Sequence, residues 1–588
     1  MDRRLPLAIG LMIALVVLSN VIFPPIRNPT IAPDSTAVAD SGGVDMGRPP
    51  EAMAQPDLPK DTTSVVAASP GPGEVVTVSS DLYEYRFDTR GAALIGATIR
   101  EYPNFAPGRE SDGPVELIRD NDRVLDWTIT TGDQRRSLSD VVFEPSATRV
   151  DVTGEDTELR FSAALAEGVS FDVVYRFSPT DYRLDIDGGL ENMGDRGYTV
   201  VLGLGRGLRS NEATPREDFV QMAAVTRDRT GDIVATRLDR VDPREQRVLE
   251  GGPFSWVASK SKYFLAAAVA DEGGPGFGGV VLKGIDEEHA ARIEVTLPVP
   301  AGSDGFHLIG YLGPQDFGRL QSIGQKLQDV NPAGYRILQW FIRPFGELVI
   351  AVLVWMHEAF SLAYGWVLIL FGVVARIVLF PLYQMSMRQQ MKQMGIQPEI
   401  KRIQEKYKED PQVLQQEMMK IYKEAGVNPL GGCLPMLVPF PILITLFFVF
   451  RNTIEFRGVP FLWLPDLSLA DPLYIVPLLM GASMLLLNWI GQRGMETNQQ
   501  MKMMTYVLPV VFTFMFARFA AGLNLYYAAS NIASLPQQVY LSRERRAAQA
   551  RRGSGSGSDP SARKTEKDPR GSRAHEKTAR RGRGRNRR

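Results

Sequence analysis

One arginine inside an apolar run is the residue whose chemistry this sequence marks most clearly. Residues 366–382 are apolar except for Arg376, and the run is long enough to enter a bilayer. A guanidinium at mid-membrane costs at least about 2.5–3.5 kcal/mol, so such a residue usually faces a bundle interior or a watery cavity. The alternative is that Arg376 lies near the helix end and extends its long stem to the membrane interface.

A second candidate is a polar face on the last apolar segment, residues 522–539. Its polar members follow one another at i, i+3, i+7, i+10 and i+14, which places them on one face of a helix. They are Asn524, Tyr527, Asn531, Ser534 and Gln538. Hydrogen bonding between neighbouring membrane helices is one explanation of such a face. A hydrated groove shared with Arg376 is the other.

Other kinds of chemistry find little support. The chain has one cysteine, Cys433, which excludes an intrachain disulfide, and its four histidines are too scattered for metal-ligand spacing. A channel or transporter would show paired charges in several spans or an inverted repeat, and the sequence has neither. A membrane-anchored glycan enzyme would need a carboxylate pair or a histidine base, and no such site is marked. We therefore expect no catalytic residue, no metal and no cofactor.

Charge is distributed unevenly along the 588 residues. The last segment, 542–588, holds 17 Lys/Arg against 5 Asp/Glu, although the whole chain has a formal net charge of −1. The remainder therefore carries a net charge of −13. A basic tail on an acidic body predicts a nucleic acid or an anionic membrane as the partner of the tail.

Six apolar segments predict membrane-spanning helices. They are residues 1–23, 361–382, 434–450, 472–490, 503–519 and 522–539. The first begins with Arg3 and Arg4 and lacks a small-residue cleavage site, which favours a retained signal anchor over a cleaved signal peptide.

Topology follows from the basic segments between these spans. Six spans keep the loop 384–428, the turn with Arg493 and Lys502, and the basic tail in the cytosol, as the positive-inside bias requires. A seventh span near 340–357 would send all of them outward. We therefore predict that 331–360 is an amphipathic helix in the membrane interface, that both termini are cytosolic, and that the large domain before it lies outside.

The segments outside the membrane differ in composition and in hydrophobic pattern. Residues 24–73 are rich in Pro, Ala, Ser and Asp and predict a flexible tether. Residues 74–330 contain stretches that alternate apolar and polar with period two, which predicts antiparallel strands and a large β-sandwich. In 384–428, two apolar stripes at helical spacing flank Pro411 and predict a helical hairpin. Residues 542–588 predict a disordered tail.

Three motifs together resemble the YidC/Oxa/Alb family of membrane protein insertases. They are the span residues 372–382, the signature Asn428–Met436 and the segment 522–531, and the likeness covers 335–541. The outer domain and its closing segment 311–317 resemble the Gram-negative type with a large periplasmic domain. The resemblance implies a multi-domain α and β protein of the bacterial inner membrane. It would combine a periplasmic β-supersandwich with a five-helix core, 361–541, and the cytosolic hairpin.

The family resemblance also implies a function and a site. Nascent integral membrane proteins would be inserted and helped to fold, alone or with the Sec translocon and its accessory subunits. They would pass through a hydrophilic groove that opens to the cytosol and the lipid bilayer. We expect the groove to be lined by six residues: Arg376, Asn524, Tyr526, Tyr527, Asn531 and Gln538. The basic tail is similar to tails that hold ribosomes, the alternative being contact with anionic lipid.

Two features depart from the family pattern. Gly372 stands one turn before Arg376, where many relatives carry a hydroxyl side chain, which questions the polar lining of the groove at that point. The apolar stretch 345–357 is also longer than the interfacial helix of the family leads us to expect.

Overall fold

The computed structural model describes most of the chain from residue 73 to residue 555. The described ranges are 73–108, 113–165, 168–192, 196–287, 289–331, 336–381, 384, 396–408, 410–426, 439–493 and 503–555. The predicted signal anchor, the tether up to residue 72, the signature Asn428–Met436 and the tail after residue 555 lie outside these ranges.

The first part of the described chain is a β domain built from twenty strands. They are β1 (Val75–Ser79), β2 (Tyr83–Asp88), β3 (Ala93–Pro103), β4 (Pro114–Glu116), β5 (Asp126–Thr131), β6 (Gln134–Ser137), β7 (Glu144–Pro145), β8 (Arg149–Asp151), β9 (Thr157–Ala164), β10 (Ser170–Phe177), β11 (Arg183–Glu191), β12 (Tyr198–Gly203), β13 (Ala223–Asp228), β14 (Ile233–Arg237), β15 (Gln246–Leu249), β16 (Phe254–Lys260), β17 (Phe264–Ala270), β18 (Gly279–Gly284), β19 (Ala291–Val299) and β20 (Phe306–Pro314).

These strands form three sheets around one hydrophobic core. The strand orders are β4-β3-β2-β1-β8, β14-β13-β16-β17-β20-β11-β10-β9-β7 and β15-β18-β19-β12-β5-β6. The pairings are antiparallel except between β1 and β8. Side chains from all three sheets, together with Ile454 from a later loop, belong to the same buried cluster. The β-sandwich predicted from the alternating pattern is confirmed.

Two kinds of strand contribute to this core. In β10, the side chains of Phe171, Val173, Tyr175 and Phe177 are fully buried, whereas the residues between them are partly exposed. This is the pattern of a strand with one face on the core. Strands β16 and β17, in the nine-stranded sheet, are instead buried at every position. Such strands have both faces covered, so their sequence does not alternate.

Helices dominate the chain after the sheets. They are α1 (Pro215–Phe219), within the β domain, then α2 (Phe317–Ile323), α3 (Arg336–Phe360), α4 (Tyr364–Val378), α5 (Gln397–Lys406), α6 (Pro411–Glu424), α7 (Pro439–Asn452), α8 (Ile475–Gln492), α9 (Leu508–Phe516) and α10 (Ala521–Gly555). A π-helical turn at Met503–Val507 precedes α9, and short 3-10 turns occur at Leu238–Arg240, Leu327–Val330 and Ile454–Phe456.

The membrane region contains helices of unequal length. Among the described residues, α8 alone is long and apolar enough to cross a bilayer unaided. Helices α3 and α4 meet the same criterion only as a pair, and the chain bends by 119° between residues 344–360 and 364–378. The apolar segments Leu443–Asn452 and Thr505–Phe516 are shorter. The bend separates the apolar stretch 345–357 from α4, so the two do not form one straight span.

The hairpin and the last helix complete the described chain. Helices α5 and α6 pack against each other, and Asp410 caps α6 by accepting hydrogen bonds from the backbone N–H groups of Gln412 and Val413. Helix α10 continues to Gly555, so it includes residues 542–555, which the sequence analysis assigned to the disordered tail. Alanine, arginine and glutamine are strong helix formers, which explains why the helix continues beyond its apolar part.

Candidate functional site

Helices α4 and α10 lie unusually close together at Gly372. A Cβ atom built on this glycine would lie 3.1 Å from the carbonyl oxygen of Tyr526 and 3.3 Å from the backbone nitrogen of Ser530. The aromatic rings of Phe371 and Tyr526 are in contact beside it, with centroids 5.6 Å apart. The glycine that departs from the family pattern therefore lies at the contact between two helix backbones.

Beside this contact lies a cavity of about 570 Å³. Its lining comes from α4 and the residues that follow it, from α10, and from Leu479 of α8. The lining residues besides Leu479 are Ile369, Val373, Arg376, Ile377, Phe380, Leu525, Ala528, Ala529, Ile532, Ala533, Pro536 and Gln537. Most of these side chains are apolar, and Arg376 and Gln537 supply the polar groups.

Several lining side chains also lie on the outer surface of the bundle. Ile377 is 68% exposed, Ile532 is 47% exposed and Leu479 is 44% exposed. Because these residues line the cavity and face outward at once, the cavity opens sideways between α4, α8 and α10.

The predicted polar residues of α10 lie elsewhere. The side chain of Asn524 is fully buried, and its Nδ2 donates to the carbonyl oxygens of Phe516 (3.0 Å), Ala520 (3.3 Å) and Phe519 (3.4 Å). It therefore ties the end of α9 and the turn that follows it to the start of α10. The Nδ2 of Asn531 donates to the Oγ of Ser483 in α8 over 3.1 Å.

The remaining predicted residues also contact neighbouring helices. The ring of Tyr526 packs against Phe371 and Tyr527, and the ring of Tyr527 lies 5.7 Å from that of Phe516 in α9. Gln538 lies beside Gly491 of α8, where an added Cβ would collide with its Nε2. Of the six predicted groove residues, the lining of this cavity includes Arg376, and the other five are directed at α4, α8 and α9.

The face of α10 that lines the cavity differs from the polar face predicted from the sequence. Leu525, Ala528, Ala529, Ile532 and Pro536 follow one another at helical spacing, and Gln537 lies next to this stripe. Small residues at such spacing could have indicated a face that a neighbouring element approaches. Nothing in the sequence distinguishes that face from one that contacts lipid.

Comparison with known proteins places both halves of the chain in one family. The family model described as 60Kd inner membrane protein matches residues 355–549. The model described as YidC periplasmic domain matches residues 75–348. The two matches follow the division between the β domain and the helical region.

Relatives match over almost the whole chain. The membrane protein insertase YidC of Chlorobium limicola is 30% identical over 92% of this chain and 94% of its own length. That of Chlorobaculum tepidum is 32% identical over 81% of this chain and 83% of its own. A solved structure of an active YidC insertase with its first transmembrane domain resolved covers 80% of this chain and 94% of its own, with 18% identity and a TM-score of 0.32. The chain belongs to the YidC family of inner-membrane protein insertases, as the three sequence motifs predicted.

Proposed function

We propose that this protein inserts integral membrane proteins into the bacterial inner membrane and helps them to fold. The substrate enters the cavity beside Arg376, alone or as it leaves the Sec translocon. The observation that supports this most directly is the combination of a largely apolar, sideways-open cavity with one cation in its wall.

The cation acts on the polar part of the substrate. Carrying an unpaired polar group through hydrocarbon costs several kcal/mol, so a polar segment needs a shorter dry path or a partner. Arg376 attracts an acidic segment, and this attraction is stronger in a site with few water molecules than in bulk solvent. The arginine lies in the last turn of α4, which places it in the cytosolic half of the membrane in the proposed topology.

The apolar wall acts on the hydrophobic part of the substrate. A substrate helix held against Ile377, Leu479 and Ile532 exchanges one apolar environment for another when it moves into lipid. Its transfer from water supplies the free energy, about 0.8 kcal/mol for each buried CH₂ group. The sideways opening provides the exit, and the proposed mechanism requires no nucleotide.

The orientation in the membrane belongs to the same proposal. Both termini, the hairpin α5–α6 and the basic tail lie in the cytosol, and the β domain lies in the periplasm. The excess of Lys and Arg in the cytosolic segments supports this orientation.

Photo-crosslinking from adjacent positions tests which face of α10 meets the substrate. Ile532 lines the cavity, whereas its neighbour Asn531 contacts Ser483 of α8. A photoreactive amino acid at 532 should crosslink to a stalled nascent membrane protein, and the same group at 531 should crosslink weakly. Strong crosslinks from 527 and 531 with weak crosslinks from 532 would show instead that the substrate contacts the polar face of α10 predicted from the sequence.

Removing the cation tests the role of Arg376. The Arg376→Ala variant should insert substrates with acidic translocated segments poorly and substrates with neutral segments almost normally. Arg376→Lys keeps the charge and serves as the control. Equal insertion of acidic and neutral substrates by the alanine variant would refute the charge attraction.

The basic tail offers a second partner. We propose that residues 542–588 hold translating ribosomes through their 17 Lys and Arg residues. Truncation after residue 541 should then abolish salt-sensitive co-sedimentation with ribosomes. Unchanged co-sedimentation, with lost binding to anionic vesicles instead, would assign the tail to lipid.

A further inference from the structure

The loop between α7 and α8, residues 453–474, carries an arginine that is buried in the β domain. The side chain of Arg457 is 1% exposed, and its Nε donates to both carboxylate oxygens of Glu212, at 2.9 and 3.1 Å. Its two terminal nitrogens donate to the carbonyl oxygens of Pro103 (2.9 Å) and Asn211 (3.2 Å). The polar partners of this guanidinium thus come from the end of β3 and from the loop between β12 and α1.

Aromatic rings complete the surroundings of Arg457. Its guanidinium lies 4.6 Å from the ring centre of Phe105 and 5.3 Å from that of Phe264. The next residue, Gly458, has a φ of +69°, and an added Cβ would lie 2.8 Å from the ring of Phe105. A left-handed conformation without a side chain lets the loop turn away directly under the ring. Burying a charge in this way is costly unless partners surround it, and here Glu212 and two backbone carbonyl groups supply them.

The other side of the same loop holds the ends of the cavity helices. The ring of Phe461 packs edge-on against Trp366 in the first turn of α4, with centroids 5.3 Å apart. The backbone N–H groups of Ala521 and Gly522, at the start of α10, donate to the carbonyl oxygens of Leu469 (2.7 Å) and Leu467 (2.9 Å).

The loop itself is firmly braced. A β-bridge joins Phe461 and Leu464, and the backbone N–H of Leu467 donates to the carbonyl of Val459 over 3.0 Å. The carboxylate of Asp471 accepts from the backbone N–H of Val476 over 2.7 Å, which ties the loop to the start of α8. These contacts connect the side of the loop that carries Arg457 with the side that meets the cavity helices.

Between the starts of α4 and α10 the packing is close, because a Cβ added to Gly522 would lie 3.1 Å from the side chain of Leu368, which is fully buried. We infer that Arg457 is a positioning residue that joins the β domain to the starts of α4 and α10, and thereby keeps the two helices closed against each other at this end of the cavity. This inference rests on the proposed orientation, with the loop on the periplasmic side. It assigns to the β domain a role in the membrane region: a fixed support to which the cavity helices are attached. The support acts through one guanidinium that reaches from the loop into the domain.

Cysteine labelling from the periplasmic side tests this role in the full-length protein. The reporter is Leu525→Cys, in the cavity wall near the start of α10, in a chain in which Cys433 is replaced by serine. In spheroplasts, Arg457→Ala should make this cysteine react with an impermeant maleimide about tenfold faster, which corresponds to about 1.4 kcal/mol of local opening. Arg457→Lys keeps the positive charge but loses the planar guanidinium and its several N–H donors, so it should give an intermediate labelling rate.

Arg135 supplies a control for general loosening of the fold. Its guanidinium is partly buried and pairs with Glu294 of β19 over 2.9 Å, and Glu294 lies outside the loop that carries Asn211 and Glu212. Arg135→Ala should leave the labelling rate at 525 unchanged. An equal increase in both alanine variants, or no increase in Arg457→Ala, would overturn the inference.

Two further variants keep the outcomes distinguishable. A cysteine at Leu462, a loop residue that is 70% exposed, should be labelled in the otherwise unchanged protein. Failure of this labelling would refute the proposed orientation instead.

The second variant is used if Arg457→Ala does not accumulate. Glu212→Gln removes only the charged partner and should still raise the labelling rate at 525. Burial raises the pKa of Glu212 to about 7 although Arg457 opposes the rise, so labelling is done at pH 8. An unchanged rate in Glu212→Gln at that pH also counts against the inference.

Discussion

Replacing Gly372 by leucine should force α4 and α10 apart. An added Cβ already lies 3.1 Å from the carbonyl oxygen of Tyr526 and 3.3 Å from the nitrogen of Ser530, and both atoms belong to the backbone of a helix. Packed helices lie about 8–10 Å apart, and the distance depends on the side chains between them. Leucine would therefore increase the distance between the axes of α4 and α10 by about 1–2 Å. Overpacking of this kind typically costs about 1–3 kcal/mol. Alanine, which needs only a few tenths of an ångström, should cost less.

Thermal unfolding of the full-length protein in detergent micelles, followed by circular dichroism, measures this effect. The Gly372→Leu variant should unfold at a lower temperature than Gly372→Ala, which should in turn lie close to the unchanged protein. Val374→Leu is the matched control, because Val374 lies on the same helix and is 40% exposed. If Gly372→Leu and Val374→Leu unfold at the same temperature as the unchanged protein, the close contact of α4 with α10 does not exist in solution.

Three other changes test the packing around the site and the loop. Burial, reinforced by Asp316, raises the pKa of Glu455 from 4.5 to about 7, so its contribution to stability is complete below pH 4.5 and is lost as the pH rises through 7. The free energy of unfolding should therefore fall between pH 5 and pH 8, and Glu455→Gln should reduce this fall by about 3 kcal/mol. An unchanged pH dependence in the variant would contradict the assignment. Asn524→Leu should destabilise the protein by about 1–3 kcal/mol, because three carbonyl groups between α9 and α10 lose a buried side-chain donor, and a neutral effect on thermal unfolding would argue against this role. A double-mutant cycle of Asn531→Ala and Ser483→Ala should give a coupling free energy of about 0.6 kcal/mol, and additive effects would show that the two side chains do not interact.

Local patterns in the sequence were sufficient for much of the fold. The alternation in strands such as β10 appears directly in the residue order, because every second side chain of a strand with one face on the core is apolar. The hairpin α5–α6 is marked by Pro411 and its capping Asp410. The three motifs sufficed to indicate the family, which the comparisons confirm.

Two helix boundaries could not be predicted from local sequence patterns. Hydropathy alone does not decide whether the apolar stretch 345–357 belongs to a span, and the structure separates it from α4 by a bend of 119°. At the other end, α10 extends to Gly555 although its apolar part ends near residue 539. In both places helix formation and membrane insertion follow different physical requirements, namely backbone propensity and side-chain hydrophobicity.

The candidate site depended most on tertiary structure. Helical spacing correctly placed Asn524, Asn531 and Gln538 on one face of α10, but periodicity states only which residues share a face and not which element lies opposite. That element is determined by close approach at small residues, such as Gly372 of α4 and Gly491 of α8. These contacts turn the polar face of α10 toward its neighbours and leave the stripe around Ile532 facing the cavity.

The sequence by itself determined the membrane character of this protein, its β domain, its hairpin and the position of one arginine, Arg376, within an apolar run. Each of these follows from residue types within a short stretch. Only the tertiary structure decided what lies opposite each face, because the partners are far apart along the chain. Nothing in the sequence distinguishes Arg457 from an ordinary loop arginine. Its contact with Glu212, at 2.9 Å, appears only in the folded structure. Arg376 is conspicuous in sequence because its surroundings are apolar, but its cavity exists only where three helices from separate parts of the chain meet.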